Sequence, residues 1–211
     1  REIELLSSRL DAVSESGFLA VTGDPGIGKS TLLKHLVQRR LSAPTTGPIL
    51  WAAVSPWRVH TPGALIRQLI QDRPDVTPTT ATDPTPDDLL DALLTAVTAP
   101  AETSTEIPGD TAILIAVDDA DLADEESLQA LVSLEREHRG RRILFVVTMS
   151  QPGARLAGTA LDELRLDGLD AQGTADIAAR RGIVLHPAMR DELTRHTGGN
   201  PRDIVALLDE V

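Results

Sequence analysis

The chain has 211 residues, of which 41% are hydrophobic, and this is enough for one sizeable packed core with a smaller appendage. Its 20 lysines and arginines against 32 aspartates and glutamates give a net charge of -12, which argues against a nonspecific surface for nucleic acid. The absence of cysteine excludes disulfides, thiolate metal sites and cysteine nucleophiles, and no apolar run approaches the roughly 20 residues needed to cross a bilayer. We therefore expect a globular cytoplasmic protein with no membrane partner.

Hydrophobic periodicity predicts alternating helices and strands in the first half of the chain. The expected order is a helix over 3–13, a strand over 18–21, a helix after a glycine-rich segment, a strand over 49–54 and the start of a helix over 62–70. Residues 72–86 are rich in proline and threonine, which is typical of an irregular surface segment. Helical spacing returns over 87–97.

Residues 112–117 are almost wholly apolar, as expected of a central parallel strand that is covered on both faces. A helix is predicted from Asp124 to about His138, followed by a buried strand over 143–148 and a shorter one over 164–166. This repeated alternation predicts an α/β fold, with a parallel sheet that carries helices on both faces.

The pattern changes beyond Gly168, where three short helices are predicted over 174–181, 187–196 and 201–211. We therefore expect two parts, an α/β domain over 1–167 and a small helical subdomain over 168–211. The chain starts without methionine and ends within a helical pattern, so we expect it to be part of a longer polypeptide.

The glycine-rich segment between the first strand and the second helix matches the pattern G-x-x-x-x-G-K-[ST]. A chance match in a chain of this length is expected on the order of 1% of the time, given the usual glycine frequency. Such a loop directs backbone N–H groups at phosphate oxygens, and the following helix adds its positive end. The predicted nucleotide-binding residues are Gly23, Asp24, Pro25, Gly26, Ile27, Gly28, Lys29, Ser30 and Thr31.

Three side chains of this loop have distinct predicted tasks. Lys29 would reach the β and γ phosphates, as both a binding and a catalytic group. Ser30 would bind Mg²⁺ through its hydroxyl, and Thr31 would lie near the α phosphate. The alternative is an ordinary glycine turn at the start of a helix.

Asp118 and Asp119 follow the apolar strand over 112–117 directly. A carboxylate at the carboxyl end of a neighbouring strand can hold the Mg²⁺ shell from the side opposite the loop, and we assign this to Asp118. Asp119 would polarise an attacking water as general base. A pair of solvated acids at a strand end is the alternative. Glycoside hydrolysis is excluded because adjacent strand residues point to opposite faces and cannot flank one bond.

Other polar and aromatic residues have simpler interpretations. The acids at 121, 124, 125 and 126 are predicted to cap a helix or face solvent, and the five histidines are too scattered to form a metal site. Trp51 and Trp57 are expected to pack against the protein, with a partner surface at Trp57 as the alternative.

Several segments together resemble the nucleotide-binding domain of STAND-class signal-transduction ATPases, most closely that of large LuxR-type bacterial transcriptional regulators. They are GDPGIGKSTLL, ILIAVDDADLADEESLQAL, ILFVVT, LRLDGLDAQGTADIAARRG and HTGGNPRDIVALL. The resemblance implies a P-loop NTPase fold of the AAA+/STAND kind with a helical lid, which binds ATP or ADP with Mg²⁺. It also implies that Arg1 approaches the adenine and that Pro201, in Gly199-Asn200-Pro201, contacts the base.

In that family the nucleotide state sets whether the protein is closed or open and self-associating. The resemblance therefore implies a nucleotide-dependent switch, with DNA bound only by a separate helix-turn-helix domain that this chain lacks.

Two positions depart from the family pattern. Relatives often carry an arginine just after the fourth strand, where this chain has the sequence TMSQP over 148–152, and a histidine where it has Asp121. A missing cation removes stabilisation of charge that develops on the phosphates, so we expect slow hydrolysis.

Two alternative functions remain at this stage. One is an AAA+ initiator or loader ATPase of the origin-recognition type, which should show a basic surface for DNA. The other is an interaction module that holds nucleotide without hydrolysing it.

Overall fold

The computed structural model describes residues 2–42, 47–55, 57, 61–71, 88, 92–93, 112–151, 156, 159 and 161–210. Arg1, the proline-rich segment 72–86 and most of the helix predicted over 87–97 lie outside the described residues.

Among the elements whose bounds lie within the described residues, five strands and seven helices follow the predicted order. The strands are β1 (Gly17–Thr22), β2 (Ile49–Ala53), β3 (Ile113–Asp118), β4 (Ile143–Thr148) and β5 (Leu161–Arg165). These helices are α1 (Glu2–Asp11), α2 (Lys29–Leu41), α3 (Ala64–Gln71), α4 (Glu125–Glu137), α5 (Ala171–Arg180), α6 (Pro187–Thr197) and α7 (Pro201–Asp209), and a 3₁₀ turn covers Ala120–Leu122.

The strands form one parallel sheet in the order β2-β3-β4-β1-β5. From the sequence we expected the acidic strand, β3, to be the direct neighbour of the glycine-loop strand, β1. The strand order shows that it is not, because β4 lies between them. The carboxyl ends of parallel strands meet at one edge of a sheet. The end of β4 therefore separates the loop from Asp118.

Each face of the sheet has its own hydrophobic core. One face packs against α1 and α2 through Leu6, Leu10, Leu33 and Leu36. On the other face, α3 and α4 cover a cluster in which Phe18 of β1 and Phe145 of β4 stack with their ring centroids 4.5 Å apart. Strands β3 and β4 are buried along their whole length, which explains their nearly continuous apolar sequence.

Helices α5, α6 and α7 form a separate small bundle, which we call the lid. Its core consists of three buried side chains, Ala178, Ile204 and Leu208, and partly buried hydrophobic side chains pack around them. Asp170, His186 and Asn200 cap the amino ends of its helices. The lid is thus held together by few apolar contacts and by well-formed helix caps.

The two tryptophans have different environments. Trp51 is partly buried and packs against the core on the α2 face, as expected. Trp57, by contrast, is 93% exposed, so the prediction that it packs against the protein is wrong. Trp57 follows β2 in sequence, and its ring is exposed to solvent instead of packing in either core.

Candidate functional site

The glycine loop joins the carboxyl end of β1 to the amino end of α2. Gly28 caps α2 with a φ of 109°, in the left-handed region that L residues with side chains rarely adopt, and a Cβ there would meet no other atom within 4 Å. Backbone conformation alone therefore favours glycine at this position. Such a loop exposes consecutive N–H groups at the positive end of a helix, which suits an anion.

Lys29 begins α2 and turns back into the loop. Its side chain is almost fully buried, and its Nζ donates to the carbonyl oxygens of Gly23 at 2.7 Å and Asp24 at 3.1 Å. The ammonium charge is thus held inside the loop at the amino end of the helix. The fixed charge complements the backbone donors.

Thr148 connects the two acidic residues across the sheet edge. Its buried hydroxyl donates to Asp118 Oδ1 at 2.7 Å and accepts from the backbone N–H of Asp119 at 2.8 Å. Asp118, only 4% exposed, ends β3, and Thr148 ends the adjacent β4. One hydroxyl therefore orients the carboxylate of Asp118 and the backbone of Asp119 together. Sequence inspection did not identify Thr148 because its role depends on the strand order.

Asp119 has an unusual backbone conformation, with φ 55° and ψ 48°. A residue with a side chain held in this region stores strain on the order of 1–3 kcal/mol, and such strain clusters at functional sites. Partial burial raises the pKa of Asp119, and the negative charge of Asp118 raises it further, while Lys29 opposes the shift. Asp119 is thus a carboxyl group with raised proton affinity at the rim of the site.

Asp121 bonds the loop that follows β4. Its Oδ2 accepts from the backbone N–H of Ser150 at 2.5 Å. Ser150 also lines the cleft described below. The carboxylate of Asp121 therefore holds the backbone at one wall of that cleft.

A cleft of about 370 Å³ lies between the glycine loop, the acidic strand and the lid. Its size falls within the usual range for small-molecule sites. The structure brings together most of the predicted side chains here, whereas Gly23 and Asp118 are buried beneath the surface. The residues that line the cleft are Pro25, Gly26, Gly28, Lys29, Ser30, Thr31, Asp119, Ser150 and Arg202.

Arg202 is a site residue that the sequence interpretation missed. It lies in the first turn of α7 and reaches the cleft from the lid, next to Gly26 of the loop. A cation in the first turn of a helix is disfavoured by the helix dipole, which favours acids there. This misplaced charge, directly after the recognised turn 199–201, was the available signal.

Pro201 starts α7 and is partly exposed, but the cleft lining contains its neighbour Arg202 instead. Asn200 is the lid residue that bonds the loop, because its Nδ2 donates to the carbonyl oxygen of Pro25 at 3.0 Å.

Asp124 caps α4 as predicted, accepting from Ser127 N at 2.9 Å.

The residues present fit Mg²⁺ and a nucleotide. Mg²⁺ prefers oxygen ligands and is usually held by one or two protein groups together with phosphates and water. Ser30 lines the cleft on the loop side and would offer its hydroxyl, and Asp119 lines it on the strand side and would offer a carboxylate. The carboxylate of Asp118 is buried against Thr148 and does not line the cleft, so it would act from beneath. The loop, Lys29 and Arg202 supply donors and positive charge for phosphates.

A glycine loop before a helix, an acidic strand one strand removed and a cleft between them define the P-loop NTPase class. The model of the AAA ATPase domain family matches residues 1–147, which is 147 of the 211 residues. The chain therefore belongs to the AAA ATPase domain family and is a nucleotide-binding ATPase module.

Two solved structures share this fold. A signal-transduction ATPase with numerous domains (STAND) from Pyrococcus horikoshii, which has a tetratricopeptide repeat sensor, has a TM-score of 0.57 at 14% identity, over 99% of this chain and 29% of that one. A variant of RuvB from Thermotoga maritima has a TM-score of 0.55 at 15% identity, over 99% of this chain and 58% of that one. The chain thus spans less than two thirds of either protein.

No curated protein sequence matches the chain. Within the described ranges, none of the helices combines the length and the apolar character needed to span a membrane.

Proposed function

We propose that the chain is the regulatory ATPase module of a bacterial transcriptional regulator, in which Mg²⁺ with ATP or ADP sets the position of the lid. The observation that carries this proposal is the composition of the cleft, where the glycine loop and Asp119 face Arg202 of the lid. A ligand in that cleft contacts both parts at once. We divide the chain accordingly into a nucleotide-binding domain, 1–167, and a lid, 168–211.

The loop from Gly23 to Thr31 provides the phosphate site in this proposal. Its N–H groups and the ammonium of Lys29 bind the phosphates, and Ser30 and Asp118 hold Mg²⁺. Bound Mg²⁺ neutralises charge on the phosphates. Arg1, outside the described residues, and Pro201 remain our proposed contacts to the adenine.

Hydrolysis depends on Asp119 and Arg202 in this proposal. The pKa of Asp119 is raised in the direction of neutral pH. A carboxylate is a better general base when its pKa lies nearer to the working pH. Arg202 supplies positive charge to the cleft from the lid, whereas residues 148–152 contain no cation. Because that charge arrives only with the lid in place, turnover is slow and linked to lid position.

The switch follows from the same arrangement. A ligand shifts a conformational equilibrium only through different contacts in the two states, and Arg202 makes such a contact when the lid is closed. The motifs shared with LuxR-type regulators support a role in transcription, with nucleotide-dependent self-association and with DNA bound by a separate domain. The net charge of -12 is unfavourable for an origin-recognition ATPase that holds DNA itself.

The phosphate site is tested by Lys29→Ala. We expect affinity for Mg²⁺–ADP, measured by isothermal titration calorimetry, to fall on the order of ten- to a hundredfold, because a charge-assisted contact is lost. Arg39→Ala, which removes an exposed cation at the far end of the same helix, is the control and should bind normally. Unchanged affinity in Lys29→Ala would disprove the proposal.

Hydrolysis is tested in the same preparation with Asp119→Asn. We expect single-turnover cleavage of Mg²⁺–ATP to slow about a hundredfold, the usual scale for loss of a general base, with affinity nearly unchanged. A wild-type chain that binds ATP and never cleaves it would instead favour the non-hydrolysing interaction module.

A further inference from the structure

The side-chain amide of Asn200 makes one hydrogen bond within the lid and one to the glycine loop. Its Oδ1 accepts from the backbone N–H of Arg202 at 3.0 Å and so caps α7. Its Nδ2 donates to the carbonyl oxygen of Pro25 at 3.0 Å, across 175 residues of sequence. Aspartate, serine and asparagine cap helices about equally well. The cap therefore does not explain why this residue is an amide, whereas the bond to the loop does.

The loop and the lid are in close contact around this bond. A Cβ built on Gly26 would lie 2.7 Å from Arg202 Cβ and 2.9 Å from Asn200 Oδ1. These distances are shorter than a real side chain tolerates. Gly26 is therefore the point at which the first turn of α7 approaches the loop backbone.

The turn that carries Asn200 is also held by the segment that leads into the lid. The backbone N–H of Leu169, in the segment that leads into the lid, donates to the carbonyl oxygen of Gly199 at 2.8 Å. A Cβ on Gly168 would meet the backbone carbonyl oxygen of Gly198. We call this contact between 168–169 and 198–199 the glycine crossing. Asn200 follows the glycine crossing directly, so this contact restrains the backbone that carries the Asn200 side chain.

Arg202 depends on this arrangement for its position. Its backbone N–H is bonded to Asn200, and its side chain lines the cleft above the loop. We infer that Asn200 is a positioning residue that joins the lid to the glycine loop through Pro25 and so places Arg202 over the phosphate site. This inference rests on the proposed nucleotide site and adds the residue that links lid position to phosphate affinity.

Two substitutions separate the loop contact from the helix cap. Asn200→Ser keeps a hydroxyl that can cap α7 but is too short to donate across to Pro25. Asn200→Asp keeps the cap, has no donor and adds a charge, so its difference from the serine variant measures electrostatic repulsion of phosphate. Asp170→Ala is the control, because it removes the cap of α5, where Asp170 accepts from Gly173 N at 2.8 Å.

Binding of Mg²⁺–ATP by isothermal titration calorimetry is the first measurement. We expect Asn200→Ser to weaken affinity about three- to tenfold, the range for one hydrogen bond, while Asp170→Ala binds as wild type. Because Asn200 acts through Arg202, adding Asn200→Ser to Arg202→Ala should cause little further loss. Additive losses in the double variant, or equal losses in Asn200→Ser and Asp170→Ala, would overturn the inference in favour of general lid destabilisation.

Amide hydrogen exchange of the nucleotide-free chain is the second measurement. Asn200→Ser should speed exchange in peptides that cover 23–28, whereas Asp170→Ala should leave these peptides unchanged. Unchanged exchange in the serine variant contradicts the loop contact itself. If the wild type binds no nucleotide, the proposed function fails, and the exchange result still decides whether Asn200 holds the loop.

Discussion

Thr148 links the two acidic residues Asp118 and Asp119 through its single hydroxyl group. It donates to Asp118 Oδ1 and accepts from Asp119 N, and it has no exposed surface. A buried hydroxyl with both a donor and an acceptor partner leaves two polar groups unsatisfied when it is removed. Thr148 therefore supports both the carboxylate that we assign to Mg²⁺ and the strained backbone of Asp119.

Thr148→Val keeps the shape of the side chain and removes the hydroxyl. We expect a loss of about 1–3 kcal/mol in urea unfolding, because buried groups on Asp118 and Asp119 lose their partner. We also expect Mg²⁺ to strengthen ATP binding less than in the wild type, as measured by calorimetry with and without the ion.

Thr22→Val is the matched control for this substitution. Thr22 is likewise buried at a strand end, and its hydroxyl donates to a carboxylate, Glu163 Oε1, at 2.6 Å. It should lose stability without changing the effect of Mg²⁺. If Thr22→Val changes the Mg²⁺ effect as strongly as Thr148→Val, the specific role of Thr148 is wrong.

At this scale, the sequence predicts the residues whose function is local. The loop from Gly23 to Thr31 has its chemistry encoded in nine consecutive positions, and Asp118 and Asp119 follow an unmistakable buried strand. Thr148 and Arg202 depend on which strands are adjacent and on where the lid lies. No pattern near Thr148 contains that information, and the local signal at Arg202, a cation in the first turn of a helix, does not tell what the side chain reaches.

Asp124 joins two helices and acts at the scale of secondary-structure elements. Besides capping α4, its carboxylate accepts from the backbone N–H groups of Gly63 at 2.9 Å and Leu65 at 3.3 Å, at the start of α3. Burial alone would raise the pKa of Asp124, but hydrogen bonds from Ser127, Gly63 and Leu65 outweigh it and lower the pKa. One ionised group thus satisfies the first turns of two helices.

Asp124→Asn should destabilise the fold by about 1.5–3 kcal/mol near neutral pH, since a charged acceptor for several N–H groups is lost. A carboxylate with a lowered folded-state pKa stabilises the protein above its unfolded pKa of about 4 and loses this contribution as the pH falls through the folded value. The gap between wild type and variant in urea unfolding should therefore narrow below about pH 4.

Asp170→Asn serves as the comparison, because Asp170 is an exposed cap whose carboxylate, among the described side-chain bonds, accepts from Gly173 N. We expect a change within about 0.5 kcal/mol. A gap for Asp124→Asn that stays constant with pH would contradict the role of its charge.

The elements themselves were predicted well where burial is uniform. Strand β4 has the predicted bounds because an apolar run ended by polar residues indicates a covered strand. Strand β5 begins three residues before the predicted 164–166, since it is an edge strand with exposed acids, Asp162 and Glu163, and has no apolar run. The order of the strands could not be predicted, because it depends on long-range pairing.

The glycine crossing lies where the chain passes from the sheet into the lid, and it acts at the scale of the whole molecule. Gly199 has a φ of 72°, and a Cβ on it would lie 2.6 Å from the backbone nitrogen of Leu169. Two backbone segments therefore touch without side chains between them. The crossing thus holds the start of the lid against the turn before α7, and the Asn200–Pro25 bond joins that turn to the glycine loop.

Gly199→Ala should separate the two segments. A strained backbone alone costs about 1–3 kcal/mol, and we expect the free energy of unfolding to fall by more than this because the segments also collide. We also expect weaker binding of Mg²⁺–ADP, because the lid shifts. Gly182→Ala is the control, because Gly182 has a similar φ of 78° but open space around a Cβ. Equal losses of stability and affinity in both variants would show that the crossing tolerates a side chain.

The exposure of Trp57 has a practical consequence for optical measurements. The chain has two tryptophans and no tyrosine, so nearly all of its near-ultraviolet fluorescence comes from Trp51 and Trp57. Trp57 meets water in the folded state as it would in the unfolded chain, whereas Trp51 leaves a packed position on β2. The change in emission on unfolding therefore reports on Trp51, and Trp57 contributes a constant background unless another molecule covers it.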